Sequence, residues 1–83
     1  MTVHVPHASA VTPEQVFTTW CRLTGTDPDL FGADEREAFY ARPQVAALVA
    51  VPYEVLLDAG ITAARRGSLP LERWLTAVRT VRP

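Results

Sequence analysis

The sequence contains a single cysteine, Cys21, and neither lysine nor asparagine. A lone cysteine cannot form an internal disulfide, which argues against a secreted scaffold held together by disulfide bonds. No apolar run has the length of a membrane span, and the N-terminus lacks the basic start and apolar core of a signal peptide. These absences predict a cytoplasmic protein with no membrane partner.

Because lysine is absent, arginine supplies all eight of the Lys and Arg positions. Arginine and alanine codons are GC-rich whereas lysine and asparagine codons are AT-rich, so this usage predicts a high-GC bacterium or its phage as the source. The 83 residues, of which 48% are hydrophobic and 20% charged, have the composition of one small globular domain.

The net charge of −1 conceals an uneven distribution of charge along the chain. Residues 1–41 carry two arginines and six acidic residues, a net charge of −4. Residues 42–83 carry six arginines and three acidic residues, a net charge of +3. Such a division of charge is typical of proteins that dock or self-associate through complementary faces. The positive charge of the second half is weaker than the basic stripe of a dedicated nucleic-acid binder.

Four of the seven prolines stand just ahead of segments with helical apolar spacing: Pro13, Pro43, Pro52 and Pro70. Proline is well tolerated in the first turn of a helix, so these residues mark helix starts. No segment alternates with the period of two that strands require. The sequence therefore predicts an all-α fold, a compact bundle of four to five short helices with a helix-turn-helix-like pair and an extended N-terminal arm.

The first helix is predicted over residues 13–24, with Thr12 and Gln15 as a capping box and Gly25 as its left-handed C-terminal residue. A connector over residues 26–32 is expected to carry Leu30 and Phe31 into the core. The second helix is predicted to begin with Asp34 as its cap and to continue to about residue 41, with inward-facing residues Ala38, Phe39 and Tyr40.

The third helix is predicted over residues 43–50, and the fourth from Pro52 to about Arg66. The fourth is expected to bury its apolar residues Tyr53, Leu56, Leu57 and Ile61, and Gly60 marks a point where it could break, since Gly costs about 1 kcal/mol relative to Ala. The last helix carries a clear apolar stripe, formed by Leu71, Trp74, Leu75 and Val78.

Residues 1–11 show no helical period, so they are predicted to form the extended arm and residues 12–83 a single helical domain. We expect the apolar residues of the arm, Val3, Val5 and Val11, to be exposed unless the arm docks on a partner. Removing the arm is therefore expected to leave the melting temperature nearly unchanged and to weaken partner binding.

No grouping of residues indicates catalysis or metal binding. His4 and His7 lie in the predicted arm, and Cys21 lies in an apolar helix, where a small core residue is the expected role. A Cys–His pair would need a third orienting group, and a metal would need ligands that converge from the arm and the helix. We therefore expect a non-enzymatic protein with no catalytic residues, no metal and no cofactor.

Residues 44–58 have the outline of a helix-turn-helix motif, with Val45-Ala46 and Leu48 in the first helix, Ala50-Val51-Pro52 as the turn, and Leu56 behind the second helix. The following Arg65-Arg66-Gly67-Ser68-Leu69-Pro70 is similar to the arginine-rich link of excisionase-type winged-helix proteins. Residues 43–70 thus resemble bacterial helix-turn-helix and excisionase-like DNA-binding segments. The resemblance implies a DNA-binding regulator or recombination factor. In such a protein the candidate phosphate contacts, chosen for their charge, would be Arg65, Arg66, Arg73, Arg79 and Arg82.

The charge of the second helix contradicts that implication, because its outward residues would be Tyr53, Glu54 and Asp58. Carboxylates repel the phosphates that supply much of the affinity for DNA.

The chain contains seven aromatic residues, a large number for so small a core, and aromatic residues often anchor interfaces. We therefore expect an interaction module: an accessory subunit, an adaptor, or a phage-type assembly or inhibitor protein. Its partner would be another protein or a second copy of the chain, and DNA binding is the alternative.

Overall fold

A computed structural model describes residues 11–81. These residues form five helices, α1 (Pro13–Thr24), α2 (Ala33–Tyr40), α3 (Pro43–Leu48), α4 (Tyr53–Ala63) and α5 (Leu71–Val81), and one 3₁₀ turn, Pro28–Leu30. No strand occurs within residues 11–81; Arg65 and Ser68 form an isolated β-bridge that belongs to no strand. The predicted all-α bundle is confirmed. α3 and α4 follow one another where the helix-turn-helix-like pair is predicted, but both pack mainly on α5 rather than on each other.

Local sequence signals explain where the helices begin and end. The Gln15 N–H donates to Thr12 Oγ1 over 3.1 Å and the Thr12 N–H donates to Gln15 Oε1 over 2.9 Å, which completes the predicted capping box. Gly25 ends α1 in the left-handed conformation, with a φ of 70°. Pro13 and Pro43 occupy the first turns of α1 and α3, and Pro52 immediately precedes α4.

The region before α2 differs from the prediction. Gly32, not Asp34, is the cap, and its N–H donates to Glu35 Oε1 over 2.7 Å, so α2 begins two residues earlier, at Ala33. Leu30 is 73% exposed instead of entering the core. The Arg36 guanidinium holds the connector by donating to the Pro28 carbonyl over 2.8 Å. This arrangement turns Phe31, rather than Leu30, toward Phe17, with ring centroids 5.3 Å apart. Ala38 is exposed, and Phe39 and Tyr40 are half-buried.

The orientation of α4 also differs from the prediction. Small residues at helical spacing, together with Leu56, face the core: Ala59, Gly60 and Ala63. Ile61, predicted to be buried, is 58% exposed. The helix passes through Gly60 without a break and ends at Ala63 rather than near Arg66. A tight turn over residues 65–68 follows, with a positive φ at both central residues, Arg66 and Gly67, as a type I′ turn requires.

The core lies mainly between α3, α4 and α5 and is closed by α1. Trp74 is fully buried, and its indole Nε1–H donates to the Leu56 carbonyl over 2.9 Å. The burial of Leu71, Trp74 and Val78 confirms the predicted stripe on α5, of which Leu75 is half-buried. None of the helices within residues 11–81 has the length and apolar character that a membrane crossing requires.

Val11, grouped by sequence with the N-terminal arm, belongs to the core and is 8% exposed. The expectation that Val11 is exposed is therefore wrong, and removing residues 1–11 should lower the melting temperature because it removes a core residue. The rest of the predicted arm lies outside the described residues. Val11→Ala should lower the free energy of unfolding by about 1–2 kcal/mol, because two buried methyl groups are lost. Urea unfolding measures the change, with exposed Thr18→Ala as the control. Equal stability of the two variants would show that Val11 contributes no packing energy.

Candidate functional site

The outer face of α4 carries a row of apolar side chains, of which the first, Tyr53, packs partly against the core and the last, Ile61, is exposed. Tyr53 and Leu57 are half-buried and Ile61 is exposed, at positions i, i+4 and i+8. Successive members are about 6 Å apart along the helix axis. Glu54 and Asp58 are exposed one position further on, parallel to the apolar row. We call these five residues the α4 outer face.

The α4 outer face forms a shallow, mainly apolar groove of about 410 Å³. Tyr53 also lines a second depression, of about 360 Å³, whose other residues come from the start and outer side of α1: Thr12, Glu14, Gln15, Thr18, Thr19 and Arg22. The two depressions therefore meet at Tyr53. Together they form one surface that extends from α1 across Tyr53 to Ile61.

The charges on this surface are unevenly placed. The α4 outer face carries two carboxylates and no basic residue, whereas the α1 depression carries one acid, Glu14, and one base, Arg22. The carboxylates of Glu54 and Asp58 thus dominate the electrostatics beside the apolar row. A phosphate backbone laid along α4 would meet repulsion, while a basic side chain would meet attraction.

Among the described residues, none of the arginines proposed as phosphate contacts lines the groove of the α4 outer face. Arg65 and Arg66 are exposed in the turn after α4, and Arg73 and Arg79 are exposed on α5. Six residues separate Arg73 from Arg79, which places them about 120° apart around the helix. They do not form one basic stripe, and Arg82 lies outside the described residues.

The turn that carries Arg65 and Arg66 is held against the C-terminal end of α1. A Cβ atom added at Gly67 would lie 3.3 Å from the Thr24 carbonyl oxygen. Just beyond the turn, the Leu69 carbonyl accepts a 2.8 Å hydrogen bond from the Trp20 indole. These contacts hold the turn between α4 and α5 in place. The turn also lies near the C-terminal end of α1, where the negative end of the helix dipole favours the cationic side chains of Arg65 and Arg66.

Most of the aromatic residues pack together between α1 and α2. Phe17 is buried and makes edge-to-face contacts with Phe31, Phe39 and Tyr40. The Arg36 guanidinium lies over the Phe17 ring, 5.2 Å from its centroid. A depression of about 360 Å³ opens beside this cluster, lined by Trp20, Phe31, Glu35, Ala38, Phe39 and Arg42. The aromatic supply therefore builds a second core, and part of it remains exposed at that depression.

Cys21 occupies the core position that the sequence predicts and is 2% exposed. Burial raises the pKa of its thiol, an effect that Arg36 opposes and Asp27 reinforces. Both burial and the raised pKa disfavour the reactive thiolate. At pH 7 the native protein should therefore react slowly with a thiol reagent such as DTNB, and denaturant should release one equivalent rapidly. Rapid labelling of the native protein would contradict the buried position.

Within residues 11–81, no group of three His, Cys, Asp or Glu side chains is arranged to hold a metal ion. His4 and His7 lie outside the described residues. The structure brings Tyr53, Glu54 and Asp58 together on one outward surface. It adds Leu57 and Ile61, which the sequence assigned to the core. The signal that could have identified them is their spacing of four and eight residues from Tyr53, which places all three in one row.

The chain matches no known protein family, no characterised protein and no solved structure at a significant level.

Proposed function

We propose that the protein is a small non-enzymatic interaction module that binds another protein through the α4 outer face. Roles of this kind include an accessory subunit, an adaptor, and a phage-type assembly or inhibitor protein. The observation that carries the proposal is the apolar row formed by the half-buried Tyr53 and Leu57 and the exposed Ile61. Glu54 and Asp58 border this row. Apolar residues with a charged border are characteristic of protein interfaces.

The exposure of Ile61 is central to this proposal. Leu56 and three small residues occupy the core face of α4, and the side chain of Ile61 lies on the outer face. A single exposed apolar residue is common on protein surfaces. Ile61 is not isolated, however, because it continues a row with Leu57 and Tyr53 and lines a groove with them. That continuity supports binding of a partner rather than incidental exposure.

Two observations favour the alternative, a small DNA-binding regulator or recombination factor. α3 and α4 are joined by a four-residue turn, as in a helix-turn-helix motif, and the type I′ turn after α4 presents Arg65 and Arg66. In this alternative α4 would enter the major groove, since that is the role of the second helix. Glu54 and Asp58 oppose it, because they occupy the surface that would approach the bases and phosphates.

DNA affinity distinguishes the two functions. Generic duplex should bind the protein weakly at physiological salt, with a Kd of about 10⁻⁴–10⁻⁶ M or weaker. The double variant Glu54→Gln and Asp58→Asn should bind more tightly, because two repulsive charges are removed. Fluorescence anisotropy with a labelled duplex measures both values. Sub-micromolar binding to one sequence, lost on Arg65→Ala with Arg66→Ala, would replace the proposal with the alternative.

Affinity capture tests protein binding itself. Immobilised protein is incubated with lysate from a high-GC bacterium, with and without nuclease, and compared with an Ile61→Asp variant and an exposed Thr76→Asp control on α5. The proposal predicts a captured protein that resists nuclease, persists with Thr76→Asp and is lost with Ile61→Asp. Capture that depends on nucleic acid, or that is identical for both variants, would contradict it.

A further inference from the structure

We propose that the partner segment bound by the α4 outer face is an amphipathic helix of a different protein, with arginine or lysine along one side of its apolar stripe. This inference rests on the proposed function and adds the chemistry of the partner. It follows from the spacing of the apolar row, from the side on which the carboxylates lie, and from the composition of the other exposed helix surfaces.

The apolar row has the geometry of a helix-docking ridge. Tyr53, Leu57 and Ile61 form one row with a spacing of four residues, and Glu54 and Asp58 begin a parallel row. Rows of this kind create grooves that accept the corresponding rows of a second helix, which is the commonest packing of helices in globular proteins. The groove of about 410 Å³ lies along these residues. An apolar residue at every third or fourth position of a partner helix would fit it.

The carboxylates determine which partner helix is favoured. Glu54 and Asp58 are four residues apart, about 6 Å along the axis, so basic residues one turn apart on the partner can face both. On the other side of Tyr53, the α1 depression combines three threonines with one acid and one base. Selection by charge therefore acts on one side of the partner stripe only, where basic residues are attracted and acidic residues are repelled.

A second copy of this chain is a poor match for that description. The exposed residues of α5 between Glu72 and Thr80 are polar or charged: Glu72, Arg73, Thr76, Arg79 and Thr80. The apolar stripe of α5 is committed to its own core through Leu71, Trp74 and Val78. α5 thus offers charge without an exposed apolar row, since its exposed apolar residue, Val81, stands alone at the end of the helix. An added strand is also disfavoured, because residues 11–81 contain no sheet edge for it to join.

Two synthetic helical peptides test the inference directly. They share one leucine stripe, and they differ only in the residues along one side of it, which are arginine in the first and glutamate in the second. Each is titrated into ¹⁵N-labelled full-length protein at low and at physiological salt. The arginine peptide should bind more tightly, should shift the amide signals of Tyr53, Leu57 and Ile61, and should weaken as salt rises.

Matched variants separate charge from apolar contact. Glu54→Gln with Asp58→Asn should weaken the arginine peptide by roughly 2- to 30-fold, the range for two exposed ion pairs, and should reduce the salt dependence. The control Glu37→Gln with Glu72→Gln changes the net charge equally at exposed positions elsewhere and should have little effect. Ile61→Ser should weaken both peptides, because it removes apolar contact from the row.

Equal binding of the two peptides, no binding, or signal shifts confined to other surfaces would overturn the inference. A partner from lysate that still depends on Ile61 would then preserve the proposed function and show that its binding segment has a different chemistry. If capture from lysate is also independent of Ile61, the proposed function fails as well.

Discussion

Replacing Trp74 with alanine should lower the free energy of unfolding by about 3–5 kcal/mol. Trp74 has no exposed surface, and it is the largest of the fully buried side chains. The substitution leaves a cavity between α4 and α5, and it leaves the Leu56 carbonyl without the indole donor that it has at 2.9 Å. A domain of this size is stable by only about 4–12 kcal/mol, so the variant should be partly unfolded near physiological temperature.

Two variants show which part of Trp74 matters. Trp74→Phe keeps most of the apolar volume and loses the hydrogen bond, so its cost should fall between those of wild type and alanine. Thr76→Ala changes an exposed residue on the same helix and should alter stability by no more than about 0.5 kcal/mol. Thermal melting followed by far-UV circular dichroism measures all three. A Trp74→Ala protein that melts within a degree or two of wild type would show that α5 is not part of the core.

Gly60→Ala should destabilise the protein by about 1–3 kcal/mol, although alanine is the better helix former by about 1 kcal/mol. A Cβ atom at residue 60 would lie 2.5 Å from Leu23 Cδ1 and 3.0 Å from Trp74 Nε1. The Leu23 side chain can move aside. The indole of Trp74 cannot do so easily, because it is buried and hydrogen-bonded to Leu56.

A double-mutant cycle between residues 60 and 23 measures the part of this steric conflict that involves Leu23. If the new methyl group collides with Leu23, Gly60→Ala should cost less in a Leu23→Ala background than in wild type. Thr62→Ala, at an exposed position of the same helix, provides the control for helix propensity. Urea unfolding gives each free energy. An increase in stability on Gly60→Ala would show that α4 and α5 do not approach each other as closely as the structure places them.

The sequence predicted α1 and α5 well because their determinants are local. Thr12 and Gln15 satisfy each other within one turn, and Gly25 reaches the left-handed conformation without strain. The stripe of α5 contains large apolar residues, so hydrophobicity and burial coincide there. The start of α2 was misjudged because Gly32 and Asp34 are both plausible caps, and the choice depends on the hydrogen bond from Gly32 to Glu35.

The orientation of α4 could not be predicted from hydrophobicity, because the space available near Trp74 decides it. A large indole against α4 demands small residues on the facing side, which Ala59, Gly60 and Ala63 supply. Ile61 is thereby displaced outward, where its side chain is 58% exposed. The same rotation explains why the sequence identified only the polar part of the candidate site, with Tyr53, and missed Leu57 and Ile61.

The structure thus relates the core of this protein to its surface. Small residues on the core face of α4 allow close packing on α5, and Leu57 and Ile61 lie on the α4 outer face beside two carboxylates. A helix-turn-helix layout is compatible with many functions, so the layout by itself does not imply DNA binding. The chemistry of the outward surface favours a protein partner, because carboxylates beside apolar residues repel nucleic acid and attract basic protein segments.

Site-specific photo-crosslinking from position 61 tests this central claim most directly. A photoreactive phenylalanine analogue replaces Ile61 on the α4 outer face, and a second protein carries it at Thr76 on the exposed side of α5. Both are irradiated in nuclease-treated bacterial lysate. The account predicts a discrete protein adduct from position 61, absent from position 76 and reduced when Glu54→Gln and Asp58→Asn are added. No adduct from position 61, or the same adducts from both positions, would contradict it.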